Sequence, residues 1–396
     1  MSPMDSSRTR TGGPGAERRI ARTAAAGAIA ALTLLAATAC GPDDTDKPNA
    51  APPASSAAPV SPSASAGKPA LPGLPGGLPS LDDLKKWKYD DWDKWAKQHV
   101  ITPAAKGFWD LQKLLQAKPK DPVAPPQQPT DDGNDPLPGG VQAKAMTHPY
   151  SQYPVDGKVF FDISTDKHAV CSATVISDPQ HPGKSNLVWT AGHCVASGQS
   201  GEQYSNIVFM PEFNSSGAVS KGKKAQSEKQ FAPLGIWRAT QAISSPQWIA
   251  EGGETGSAAS QYDFAILKVE NQDGGSKSLE ETVGGSVPVW FNAPRDQLSI
   301  TAIGYPAAPP FDGMEMERCE GGKPSRLSFD KTRPPMEVIG CTMTGGSSGG
   351  GWFALKDGKP ALVSNTSIGP EDNTWLAGPY LDDVAANALN YLAKRP

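Results

Sequence analysis

The stretch from residue 141 to 396 predicts an all-β domain, a sandwich or a barrel. Three observations carry this. Short β-rich runs recur along it: KVFFDI, AVCSATVI, NLVWT, NIVFM, DFAILKV, VPVWF, LSITAIGY, MEVIGC, WFAL and ALVSNTSI. Turn residues bound these runs, as strand ends require. No helical periods alternate with them, which excludes the repeating strand–helix pattern of a parallel sheet. The exception closes the chain: in YLDDVAANALNYLAK, residues Leu381, Val384, Ala385, Ala388, Leu389 and Leu392 share one helical face, so a C-terminal helix should dock there.

The segments ahead of this domain read differently. Residues 1–39 have the form of an export signal: Arg8, Arg10, Arg18, Arg19 and Arg22 precede the apolar run AAAGAIAALTLLAATA. That run falls short of the ~20 residues a membrane span needs. Ala37, Thr38 and Ala39 before Cys40 resemble a bacterial lipobox, with Ala37 where Leu is usual. The resemblance implies a lipid on Cys40 and attachment to a membrane; ordinary signal cleavage is the alternative. Residues 40–80 are dominated by Pro, Ala, Ser and Gly and cannot bury enough surface to fold, so a semi-extended, disordered tether is expected.

Residues 81–118 are Trp-rich and helical in pattern. Ser80 with Asp83 forms a capping pair, and Thr102-Pro103 marks a second helix start. Their aromatic faces should fold against the rest of the chain, or dock a cell-envelope partner. Residues 119–140, PKDPVAPPQQPTDDGNDPLPGG with little else, read as a second linker.

The net charge of −4 gives no reason to expect nucleic-acid binding. With Cys40 set aside, Cys171, Cys194, Cys319 and Cys341 remain, an even number in an exported chain, hence disulfides with three possible connectivities. Zinc ligation lacks the C-x-x-C pairing it would need.

TMTGGSSGGGW, residues 342–352, lies between two apolar runs, unlike a Gly/Ser linker. A tight, buried backbone around one reactive hydroxyl fits better. A serine needs a general base, and the base an orienting carboxylate. Of the five histidines, His193 in VWTAGHCV follows a β run; His99 sits in the helical segment, and His148, His168 and His181 in polar or turn-like settings read as surface residues. Asp263 in QYDFAILKVE heads an apolar strand, a costly place for an unpartnered acid. G-x-S-x-G also occurs here, but the hydrolase elbow requires a histidine after the serine, and none follows Ser348.

TAGHC, YDFAIL and GGSSGGG, in this order, resemble the trypsin-like, chymotrypsin-fold serine proteases, closest to the bacterial secreted branch that includes glutamyl endopeptidases. The resemblance covers residues 141–396 and implies two antiparallel six-stranded β-barrels with the site in the cleft. It implies Ser348 as nucleophile, His193 as base, Asp263 as its orienter, and the backbone N–H groups of Gly346 and Ser348 as the oxyanion hole. Ser347 falls where many relatives carry an Asp that pairs with a freshly cleaved N-terminus, so activity without that switch is expected. Cys171 would pair with Cys194 and Cys319 with Cys341. Thr342 stands where trypsins select Lys or Arg with an Asp, and Thr366 where glutamyl endopeptidases place a His; an uncharged side chain before the cut bond follows. Ser367 and Gly369 would pair with the substrate backbone by strand addition. The implied protein is an extracytoplasmic, monomeric endopeptidase acting on proteins or peptides, with no cofactor and no metal. A catalytically silent binding module on the same fold, and an esterase, are the alternatives.

Overall fold

Strands β3 (Asp156–Ser164) and β4 (Lys167–Ile176) are buried along most of their length and pair antiparallel, Val159 opposite Cys171. This burial on both faces suits a small closed barrel, whose inner face is filled by side chains. With β5 (Leu187–Thr190), β6 (Ser205–Pro211), β7 (Trp237–Ser244) and β8 (Ala265–Asn271) they run in the order β4-β3-β6-β7-β8-β5, and a β4–β5 pairing closes the ring. The computed structural model describes residues 77–126, 134–151, 155–199, 201–219, 225 and 227–396. The expected signal, Cys40 and all but the last residues of the 40–80 tether lie outside the described residues.

The second half holds β9 (Ile300–Gly304), β10 (Glu317–Gly322), β11 (Ser325–Leu327), β12 (Met336–Gly340), β13 (Gly351–Lys356), β14 (Lys359–Asn365) and β15 (Trp375–Gly378). They form a five-stranded sheet, β14-β13-β9-β10-β2 with β2 (Lys144–Ala145) at its edge, and a three-stranded sheet, β11-β12-β15. The Cys319–Cys341 disulfide joins β10 to the end of β12, bridging the two sheets. Ala302, Ile339, Met343, Trp352 and Val363 fill the space around it. Cys171–Cys194 lies in the first half. Both pairs follow the expected connectivity, and disulfide sulfurs offer no thiolate to zinc.

The Trp-rich segment belongs to the folded body. Helices α1 (Leu81–Lys85) and α2 (Tyr89–Ala96) place Leu84, Trp92 and Trp95 in the same core as the barrel and the C-terminal helix Asp383–Lys394. Ser80 caps α1, its hydroxyl accepting from Asp83 N at 3.2 Å. The second helix does not start at Thr102. Gly107, at φ +71°, interrupts the run in a conformation that a helix does not use, and α3 (Leu111–Gln116) begins only after the Asp110 cap. The C-terminal helix buries Val384, Ala385, Ala388, Leu389 and Leu392. Among the described residues no helix is long and apolar enough to cross a membrane.

The Pro-rich stretch expected to be a linker over 119–140 is fastened at both ends. Strand β1 (Lys118–Pro119) lies parallel to β4, Lys118 opposite Ala169. Further on, Asp135 binds the Arg326 guanidinium at 2.9 Å, and Asn134 accepts from Ser328 N at 2.6 Å. Proline favours extended backbone, and extended backbone can add to a sheet edge where its missing N–H is not called upon. Pro-rich composition alone therefore cannot distinguish a free linker from an edge-bound one.

Candidate active site

His193 sits on a single 3-10 turn, Gly192–Cys194, immediately after β5. The turn is tight because of Gly192. A Cβ there would come within 2.8 Å of Ser244 Oγ and 2.9 Å of Asp263 Oδ1, closer than real side chains approach. The backbone can therefore press against Asp263, and both donors of His193 reach it. His193 N donates to Asp263 Oδ1 at 2.8 Å, and His193 Nδ1 lies 2.7 Å from Asp263 Oδ2. Asp263 ends a 3-10 turn, Ala258–Tyr262, that delivers it just before β8. Its carboxylate is wholly buried and receives a third hydrogen bond, from Ser367 Oγ at 2.7 Å. Three donors offset the desolvation of a buried charge.

Ser348 comes from the other half, in the loop between β12 and β13. Gly346 and Gly349 hold positive φ, at 95° and 77°, so the loop folds back on itself around the serine. At Gly349 a Cβ would collide with Thr190 Oγ1 and Ser172 O. Strand β4 anchors the loop: Ser172 N donates to Ser348 O at 2.7 Å, and Ser172 Oγ to Gly346 O at 2.9 Å. Ser347 Oγ donates to Thr344 O at 2.8 Å.

His193, Asp263 and Ser348 thus converge on one cleft, all nearly inaccessible to solvent. Between Ser348 and His193 stands a residue the sequence did not single out. Ser348 Oγ donates to Asp121 Oδ1 in a very short hydrogen bond. Gly346 N donates to the same carboxylate, at 3.0 Å from Oδ2 and 3.2 Å from Oδ1. His193 Nε2 is buried without a hydrogen-bond partner, 3.9 Å from Asp121 Oδ1. No sequence signal pointed to Asp121; it is one acid in a Pro-rich run.

Burial alone would push the His193 imidazole down. The charge and hydrogen bond of Asp263, with a further pull from Asp121 and opposition from Lys120, carry it net above its ordinary value.

The other predicted residues fall as follows. Ser367 and Gly369 line a cavity of about 300 Å³ beside Ser348, with Met343, Ile368 and Leu376 as apolar wall. Thr342 is not part of that lining. Its hydroxyl accepts from Ala143 N at 2.9 Å, because the chain entering from residue 141 lies against it, and Met343 and Thr344 face the cavity instead. Thr366 Oγ1 accepts from Trp352 Nε1 at 2.9 Å. Of the remaining histidines, His99 is buried against Trp95, and His168 is not at the surface: it pairs with Asp162 at 2.6 Å beneath Trp109.

Residues 171–361 match the model of the trypsin-like peptidase domain family. Among solved structures the chain is similar to the protease Anisep from Arthrobacter nicotinovorans, 29% identical over 64% of this chain and 100% of that one, with a TM-score of 0.50. It is also similar to a thermostable serine protease from an extremophilic microorganism, 31% identical over 62% of this chain and 100% of that one, TM-score 0.49. A Glu endopeptidase in complex with MPD is 18% identical over 67% of this chain and 98% of that one, TM-score 0.45. No curated protein matches the sequence.

Proposed function

We propose that this chain is a trypsin-like serine protease, an extracytoplasmic endopeptidase working through an acyl-enzyme on Ser348, a reading supported by the trypsin-like peptidase domain match over residues 171–361. The observation that carries the reading is the buried Asp263–His193 pair facing the Ser348 loop, with the Gly346 N–H aimed at the point where Ser348 Oγ also points. Ser348 attacks the substrate carbonyl while His193 Nε2 takes its proton. Asp263 fixes the Nδ1–H tautomer and stabilises the imidazolium. The N–H groups of Gly346 and Ser348 receive the oxyanion, each worth about 3 kcal/mol of barrier. His193 then protonates the leaving amine, and water releases the acyl group by the reverse steps.

The substrate backbone lies along Ser367–Gly369, and its side chain before the cut bond enters the cavity walled by Met343, Ile368 and Leu376. An uncharged side chain suits those walls. Extracytoplasmic placement draws support from the basic and apolar leader and from the two disulfides, which persist in oxidising compartments. A lipid on Cys40 would hold the enzyme at the membrane.

The test is covalent labelling of the chain from Gly41 onward with a fluorophosphonate probe, followed by mass mapping and peptide turnover. Because Asp121 covers the hydroxyl, the Asp121→Ala variant is treated alongside. A single adduct on Ser348, absent in Ser348→Ala and strongly slowed in His193→Ala, with peptide cleavage, is the expected result. No adduct on Ser348 in either chain would overturn the mechanism; ester turnover without peptide cleavage would replace the endopeptidase by an esterase.

A further inference from the structure

We propose that residues 118–124 are a built-in inhibitor of this active site, with the Asp121 carboxylate as its plug. The inference rests on Ser348 being the nucleophile. The segment crosses the cleft and is bonded to both walls. Lys118 and Pro119 pair with β4, Val123 N donates to Glu254 O at 3.0 Å and Val123 O accepts from Gly256 N at 2.8 Å. Ala124 N donates to Gly369 O at 2.9 Å, taking a backbone acceptor at the edge proposed for substrate. The open cleft is thereby divided into two cavities, of about 300 and about 400 Å³, which share Asp121, Pro122 and Val123 as their common wall.

The chemistry at the centre is that of an occupied but unreactive site. A peptide to be cut would present a carbonyl oxygen to Gly346 N; here that donor holds a side-chain carboxylate. The carboxylate also takes the Ser348 hydroxyl proton donor, which therefore does not point to His193 Nε2. An anion in a site built for an anionic transition state is well held, and it carries no amine to expel, so it is not consumed. Direction matters too. Val123 bridges Gly369 and Thr255 in parallel register, and it is the Asp121 side chain, not a peptide group, that meets the Ser348 hydroxyl. Asp121 is consequently a ligand of the catalytic groups supplied by the same chain.

The test uses the full chain and the rate of fluorophosphonate labelling at Ser348. Asp121→Ala should label roughly ten- to hundredfold faster than the unaltered chain, the value of one charge-assisted hydrogen bond, and Asp121→Asn should fall between them. Adding Ala124→Pro to Asp121→Ala removes the donor to Gly369 and should accelerate peptide cleavage further. A residue with a merely structural role would not give a gain in rate. Equal labelling of Ser348 in all these chains would overturn the inhibitor and leave the hydrolase standing. Silence in all of them would overturn the nucleophile assignment and the inhibitor with it.

Discussion

Truncating Trp92 should weaken the whole molecule, although it lies more than two hundred positions from Ser348 in a segment whose composition resembles a tail. Its indole is 1% exposed, edge-on to Trp87 at 5.0 Å and stacked on Tyr391 of the C-terminal helix at 6.5 Å. About 200 Å² of buried ring at roughly 25 cal/mol per Å² amounts to ~5 kcal/mol. Large-to-small core changes of this kind cost about 3–5 kcal/mol. Trp92→Ala should therefore lower the midpoint of urea unfolding of the entire β domain, read by circular dichroism and by loss of peptide turnover, with Tm falling by roughly 10 °C. Trp92→Phe should cost much less, because the buried indole N–H has no partner and its removal recovers about 1–3 kcal/mol. Val100→Ala, 71% exposed, is the control and should stay within about 0.5 kcal/mol. If Trp92→Ala matched that control while turnover and strand signal were unchanged, the packing of α2 into the common core would be refuted.

Further outcomes follow from the site. His193 must be neutral to accept a proton, so the acid limb of kcat/KM should lie above the ordinary imidazole value of ~6.5. Its raised value also means that its contribution to stability is full below the unfolded value and is lost as pH rises through the folded one. Asp121→Ala deletes one of the raising causes, so a pH–rate series should show the limb moving to lower pH; an upward move would contradict the electrostatics. Ser367→Ala removes one of three hydrogen bonds to the Asp263 carboxylate and should reduce kcat roughly tenfold with KM little changed, since the backbone offered to substrate is kept; a change in KM alone would assign the hydroxyl to substrate contact instead.

Much of this architecture was legible because its determinants are local. Strand runs, the amphipathic C-terminal helix and the α1 cap are written in neighbouring residues. The convergence of His193, Asp263 and Ser348 came from short motifs whose order resembled a known family, not from periodicity. What escaped was non-local. Asp121 acquires its place from bonds to residues more than two hundred positions away, and no local pattern encodes such a meeting. The contact of Thr342 with the chain entering from residue 141 is likewise non-local, joining residues about two hundred positions apart. The helix expected from Thr102 does not form: residues 102–105 run without helix, and Gly107 then takes a positive φ.

The packing of α1 and α2 against the C-terminal helix brings the two ends of the described chain onto one core. Asn387 donates to Lys85 O at 2.8 Å, and Arg395 pairs with Asp93 at 2.7 Å. A nick anywhere between α3 and β2 would accordingly yield a two-chain protein rather than a shed fragment. The amino-terminal piece would remain clasped to the piece carrying Ser348. Cutting the chain and parting its two pieces are thereby distinct events, and gel filtration under native conditions would report one species where a denaturing gel reports two.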